Sequence, residues 1–299
     1  MTLRGPEAWG APPSLPGSKH DGGAPPLDVL VPTRNRPAEL AATLAGLAAQ
    51  DAEDFGVIVS DQSDGRPGWK DPAAAAMLRV LEAQGRRVAL HQHLPRRGLA
   101  EHRQFLLEQS SADRVLYLDD DVWLAPQAVR TLQEALDALG CGFVGMAVQG
   151  LSFLDDRRPH ELEPFEAWDG PVEPERLDRG SPGFRRWMLH NAANPTHLAA
   201  DLVRDGGLAP GEWLAYRVAW VGGCALYRRE ALVECGGFEF WRHLPAAHAG
   251  EDVVAQWRVM ERYGGAGILP SQAVHLESPT TVVDREAEAA EVLRGVTAG

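Results

Sequence analysis

The run Val115-Leu116-Tyr117-Leu118-Asp119-Asp120-Asp121 constrains this chain more than any other stretch. Four apolar residues in succession read as a strand buried on both faces, as in a parallel sheet. Three carboxylates follow without a spacer. Like charges that close repel, and each costs free energy to desolvate unless something positive neutralises it. A strand leaving the core into an acidic cluster can hold a divalent cation through oxygen ligands. In open α/β sheets, ligands gather beyond the carboxyl ends of the strands, where this cluster points. On this stretch alone, the alternative is a solvated acidic turn ahead of a helix starting near Pro126.

The chain before it alternates strands and helices. Residues 1–26 are rich in Pro, Gly and Ala without periodicity and read as a disordered or loosely attached tail. Leu27–Val31 is a short strand ended by Pro32, and Pro37 suits the first turn of a helix. That helix carries Leu40, Leu44 and Leu47 on one face. Val57–Val59 is a second strand running into Ser60-Asp61-Gln62-Ser63. A helix over Ala73–Gln84, a strand near Val88–Leu90 and a helix opening after Gly98 precede the acidic strand. Val129, Leu132, Leu136 and Leu139 mark the helix beyond it. This alternation predicts parallel βαβ units with right-handed crossovers.

From Leu151 to Gly211 no periodicity is legible, which suggests a functional insertion. Its aromatic and polar residues (Trp168, Phe184, Trp187, His190 and Asn191) read mostly as core, with a minority available to bind an acceptor. Order returns over Val218–Leu226, then a helix over Arg228–Val233 that Gly236-Gly237 ends with positive φ. Gly250-Glu251-Asp252 opens a helix with Val253, Trp257 and Met260 facing inward. Gly267–Leu269 and Val274–Leu276 read as final strands, and Asp284–Arg294 as a closing helix.

A chain of 299 residues can bury a core as one large domain or two closely packed ones. Its net charge of -13 argues against nucleic acid, which needs clustered Lys and Arg. It leaves room for a phosphate-bearing small ligand, because a metal can supply local positive charge. Cys141, Cys224 and Cys235 have no CxxC spacing and read as buried thiols in a reducing compartment. No apolar run reaches the length of a membrane span and no signal peptide is legible, so a cytoplasmic location is expected, peripheral membrane attachment being the variant.

Four segments together resemble family 2 glycosyltransferases of the GT-A fold: LDVLVPTRNRPAEL, VIVSDQSDG, RGLAEHRQFLLEQSSADRVLYLDDD, and WVGGCALYRREALVECGGF followed by GEDVVAQWR. The resemblance implies an α/β GT-A domain, a Rossmann-like, mostly parallel sheet flanked by helices. Residues 27–150 would form its nucleotide-sugar half. Residues 151–299, with the insertion, would form an acceptor-binding and catalytic half of the same domain, packed against the first. It further implies metal-dependent, inverting transfer from a UDP- or GDP-sugar to the hydroxyl of a sugar or other acceptor.

The resemblance also implies roles for residues. Asp121 is the expected ligand to Mn²⁺ or Mg²⁺, with His275 as a second ligand or else a structural histidine. Asp120 would touch the ribose or sugar, with Asp119 supporting. Pro32, Thr33, Arg34 and Asn35 would line the nucleotide pocket, together with Gly98 at a helix start. Asp61 would accept the N–H of the base, although Ser60 and Gln62 depart from the family's Asp-Asp-Gly-Ser. Arg103 would sit near the phosphates or be a solvated helix charge. Asp252 is the expected general base, taking the proton of the attacking hydroxyl. At a helix start the dipole would keep it ionised, and capping is a compatible role for it. Glu251 would support the acceptor or its loop. Gln256-Trp257-Arg258 faintly resembles the QXXRW element of processive synthases, but the spacing and the missing membrane helices argue against that subclass.

Two other functions stay open at this point. A nucleotidyltransferase acting on a sugar phosphate also uses a parallel sheet and carboxylate-held Mg²⁺, but favours a Gly-rich, Lys-bearing loop where Pro32-Thr33-Arg34-Asn35 stands. A non-catalytic nucleotide-sugar-binding relic is disfavoured by the joint presence of Asp121, Asp252 and His275.

Overall fold

The computed structural model describes residues 26–209, 211–281 and 287–297. All but Pro26 of the expected tail lies outside them. In chain order the first half comprises β1 (Leu27–Thr33), α1 (Pro37–Ala48), β2 (Gly56–Asp61), α2 (Pro72–Ala83), β3 (Val88–Gln92), α3 (Leu99–Gln109), β4 (Arg114–Leu118), β5 (Val122–Leu124), α4 (Ala128–Leu139), β6 (Phe143–Gly145) and β7 (Gln149–Gly150). The second half adds α5 (Pro159–Leu162), α6 (Asn194–Arg204), β8 (Leu214–Tyr216), β9 (Cys224–Arg228), α7 (Arg229–Glu234), α8 (Glu251–Tyr263), β10 (Gly265–Leu269), β11 (Ala273–His275) and α9 (Ala289–Thr297).

Eight strands form one twisted layer in the order β3-β2-β1-β4-β9-β6-β10-β8. β1, β2, β3 and β4 run parallel, as do β6 and β10. β9 is antiparallel to both β4 and β6, and β8 to β10. Strands from the two halves of the sequence therefore alternate in a single sheet. The side-chain period of two divides β1 between the faces. Val29 and Val31 pack with Leu40, Leu44 and Leu47 of α1 and Leu132 and Leu136 of α4, while Leu30 packs with Leu106 of α3 and Val259 of α8. All these side chains are fully buried. That is why the strands read as unbroken apolar runs.

Several expectations need correction. β1 runs through Pro32 to Thr33: its pairing with β4 ends at Leu30, so Pro32 removes no ladder bond there. Residues 194–204 form a helix hidden from a periodicity reading by Pro195, which sits harmlessly in its first turn. Residues 218–223 are not strand; the strands flank them as β8 and β9. The inward face of α8 is Val254, Ala255, Val259 and Met260, with Val253 and Trp257 half-buried. Cys141 and Cys224 are buried thiols, but Cys235 is half-buried. The closing helix begins at Ala289, and residues 282–286 of the expected one lie outside the described residues.

A second sheet, β5-β11-β7, carries the positioning work. β11 pairs antiparallel with β5 so that His275 faces Val122, and the Leu276 N–H donates to the Asp121 carbonyl at 2.8 Å. This short ladder brings a late histidine onto the acidic turn after β4.

Candidate active site

A cleft of about 1600 Å³ opens at the carboxyl ends of the parallel strands. It is lined by Pro32, Thr33, Arg34, Gly98, Arg103, Asp119, Asp120, Asp121, Glu251, Asp252 and His275, so most expected residues meet in one place. Asn35 and Asp61 do not line it. The Asp61 carboxylate is fully buried and accepts the Ser63 and Gly68 N–H groups, each at 2.5 Å. It shapes the loop after β2 and does not stand as an open acceptor for a base. Asn35 takes a left-handed conformation at φ 54° and binds Asp64, which makes it a loop former.

The acidic turn is neutralised by a residue the sequence reading passed over. Arg36 donates from Nη1 to Asp120 Oδ1 at 3.1 Å and to Asp121 Oδ2 at 2.6 Å, and from Nη2 to the Pro279 carbonyl. Thr33 Oγ1 donates to Asp120 Oδ2 at 2.7 Å. Burial nevertheless pushes the Asp120 carboxyl up to about 7, against the pull of Thr33 and Arg36. Burial also acts to raise Asp121, but His275 and Arg36 outweigh it and hold that carboxyl below its ordinary range. His275 is raised in turn by its hydrogen bond to Asp121. The signal for Arg36 was its place in Thr-Arg-Asn-Arg-Pro, one residue before the helix that returns the chain across the acidic turn.

Asp121 Oδ2 and His275 Nε2 lie 3.3 Å apart. Among the described residues no group of three or more His, Cys, Asp and Glu side chains is placed to hold a metal. One carboxylate and one imidazole still suit Mn²⁺ or Mg²⁺ when substrate phosphates complete the coordination. His275 Nδ1 accepts the Glu277 N–H at 3.0 Å, so its Nε2 carries the proton in this state. Ligation through Nε2 would displace that proton and the Arg36 contact together.

Arg103 joins the two sides of the cleft. It is 4% exposed, so it is no solvated helix charge. Its Nη2 donates to Asp119 Oδ1 at 2.9 Å and its Nε to Glu251 Oε1 at 3.0 Å. The Tyr117 hydroxyl donates to the Arg103 carbonyl at 2.7 Å, fixing the helix that carries the guanidinium. Asp119 therefore supports the site through Arg103, and Glu251 holds the same strut from α8.

Gly250, at φ 78°, turns the chain into α8 and sets Asp252 on the cleft wall. Burial and the adjacent Glu251 carboxylate push the Asp252 carboxyl up to about 7, against the pull of Arg103. The expected effect of the helix dipole is thus overcome. The loop before Gly250 is pinned to α3: the Ala100 N–H donates to His248 Nε2 at 3.1 Å, and His248 Nδ1 donates to the Pro245 carbonyl at 2.7 Å. Gly98 makes this approach possible. At φ 108°, a Cβ there would stand 2.5 Å from His248 Cε1.

From the insertion, Phe184 and Trp187 line the cleft with Trp220, whereas Trp168 stacks under Arg217 and His190 is bonded to the buried Tyr216 hydroxyl. Gln256 and Trp257 brace the segment before β9: Gln256 bonds both the N–H and the carbonyl of Val221, and Trp257 Nε1 donates to the Ala219 carbonyl.

Residues 28–192, more than half of the chain, match the family model described as glycosyl transferase family 2. The fold is shared with TarS from S. aureus (residues 1–349) at 14% identity and a TM-score of 0.51, covering 83% of this chain and 60% of that one. The same protein in complex with UDP-GlcNAc gives 14% identity and 0.51 over 86% of this chain and 60% of that one. The mannosyltransferase PcManGT from Pyrobaculum calidifontis, in complex with GDP-Man and Mn²⁺, gives 18% identity and 0.53, covering 87% of this chain and 59% of that one. The chain thus spans about three fifths of the length of these neighbours. No curated protein matches the sequence. Among the described residues no helix is long and apolar enough to cross a membrane.

Proposed function

The chain belongs to glycosyl transferase family 2, and from that premise we propose that it moves a sugar from a nucleoside-diphospho-sugar to an acceptor hydroxyl by a single inverting displacement. The observation that carries this reading is the meeting of Asp121, His275 and Asp252 in one cleft, with Arg103 bridging Asp119 on the donor side and Glu251 on the acceptor side. Bound to Asp121 and His275, Mn²⁺ or Mg²⁺ would neutralise the charge that develops on the leaving diphosphate. The protein's own residues do the rest. Asp120 and Thr33 orient the ribose side, Arg103 holds the two walls in register, and Asp252 accepts the proton of the attacking hydroxyl. The cleft is also large enough to exclude bulk water around both substrates once filled. The donors carried by the structural neighbours, UDP-GlcNAc and GDP-Man, support a nucleotide-sugar donor of this kind.

Asp121→Asn tests the donor side. It removes the charge that a divalent ion requires while keeping the side chain's shape. Titration calorimetry of UDP and GDP with Mn²⁺ should find the metal-dependent part of the affinity gone in the variant. Equal metal-dependent affinity in both proteins would remove Asp121 from the site. Stereochemistry tests the displacement: ¹H NMR of the product should show the anomeric configuration opposite to the donor's, and a retained configuration would exclude a single step.

A further inference from the structure

We infer that Gln62, with Arg34 beside it, reads the nucleobase of the donor and selects a lactam base, uracil or guanine. The inference rests on the donor-binding reading above and goes beyond it by naming the base. Gln62 is 5% exposed and lines the cleft. Its side-chain Nε2 is buried with no hydrogen-bond partner, and so is Arg34 Nε. Buried donors left unmade cost free energy, so two of them on one wall call for acceptors supplied by a ligand. The neighbouring carboxylates are already engaged. Asp61 accepts the Ser63 and Gly68 amides, and Asp64 Oδ2 accepts from Arg34 Nη2 and Asn35 Nδ2.

The position of this wall fits a base and not the diphosphate. Gln62 directly follows β2, and in the order β2-β1-β4 the end of β2 lies two strand spacings from the end of β4. At about 4.8 Å per spacing that is roughly 10 Å from the acidic turn, the span of a ribose between diphosphate and base. A lactam edge sets a carbonyl oxygen beside an N–H, which matches the donor and acceptor of a primary amide in one plane. Adenine and cytosine carry an amino group where that carbonyl stands, which would set donor against donor at Gln62 Nε2.

The test is calorimetry on the full chain with Mn²⁺, titrating UDP, GDP, CDP, ADP and inorganic pyrophosphate into the unaltered protein, Gln62→Glu and Gln62→Leu. UDP or GDP should bind tightest, and both variants should weaken that nucleotide by about tenfold or more. Pyrophosphate affinity and melting temperature should stay unchanged. Tightest binding of ADP or CDP, unaltered nucleotide affinity in both variants, or an equal loss for pyrophosphate would each overturn the assignment. Failure of all four nucleotides to bind the unaltered protein would instead overturn the donor-binding reading and take this inference with it.

Discussion

Asp252→Asn should leave nucleotide-sugar affinity within about a factor of two while lowering turnover by roughly 10²–10⁴-fold, the usual worth of a positioned general base. The substitution keeps the size of the side chain and its place in the first turn of α8, where Asp252 Oδ1 accepts the Val253 N–H at 2.9 Å. What it removes is the capacity to take a proton. Donor affinity is governed at the other wall, by the acidic turn, so binding and turnover should separate cleanly. Near-normal turnover in the variant would show that another group takes the proton.

The same residue sets a pH dependence. With its carboxyl pushed up to about 7, Asp252 is protonated and inert as a base below that pH and ionised above it. Turnover under saturating substrates should therefore rise with pH to a plateau above neutrality, and the rising limb should disappear from the residual activity of Asp252→Asn. A carboxylate at its ordinary value would put that limb near pH 4, out of reach of most assays. Burial beside Glu251 makes it measurable.

How much of this was legible in the sequence divides along a physical line. The strands β1, β2 and β4 were readable because both of their faces are buried, leaving uninterrupted apolar runs. The acidic turn and Gly250-Glu251-Asp252 were readable because charge crowding and a helix start leave local marks. Arg36 was not, because its role depends on α1 carrying it back across the sheet edge to residues more than eighty positions away. Asp61 was placed on the correct strand end but given the wrong work, since its partners come from a loop whose path no local pattern predicts. The helix α6 was missed for a different reason. Its apolar face is short, and only Asn194, Pro195, His197, Leu198 and Ala199 are buried along it. His248 belongs with Arg36: its whole role is a contact between segments 148 residues apart.

Arg103→Leu carries the largest expected effect on stability. The guanidinium is the shared partner of Asp119 and of Glu251, itself 4% exposed, and it lies 5.5 Å from the centre of the Tyr117 ring. Removing one member of a buried ionic network while leaving the others costs about 3–5 kcal/mol, because the remaining charge has neither solvent nor counterion. Asp252 adds to the problem, since Arg103 pulls its carboxyl down while Glu251 pushes it up. The Leu variant should melt at a clearly lower temperature by calorimetry, and in any folded fraction the rising limb of the pH profile should move to higher pH. Arg103→Lys separates charge from geometry. A lysine keeps the positive charge beside Asp252 but lacks the planar fork that reaches both carboxylates at once. It should recover part of the melting temperature and return the pH limb toward its original position, yet leave turnover low because the two walls of the cleft are no longer held in register. Full recovery of turnover by lysine would mean that charge alone, and not the bridge, is what the site requires of Arg103.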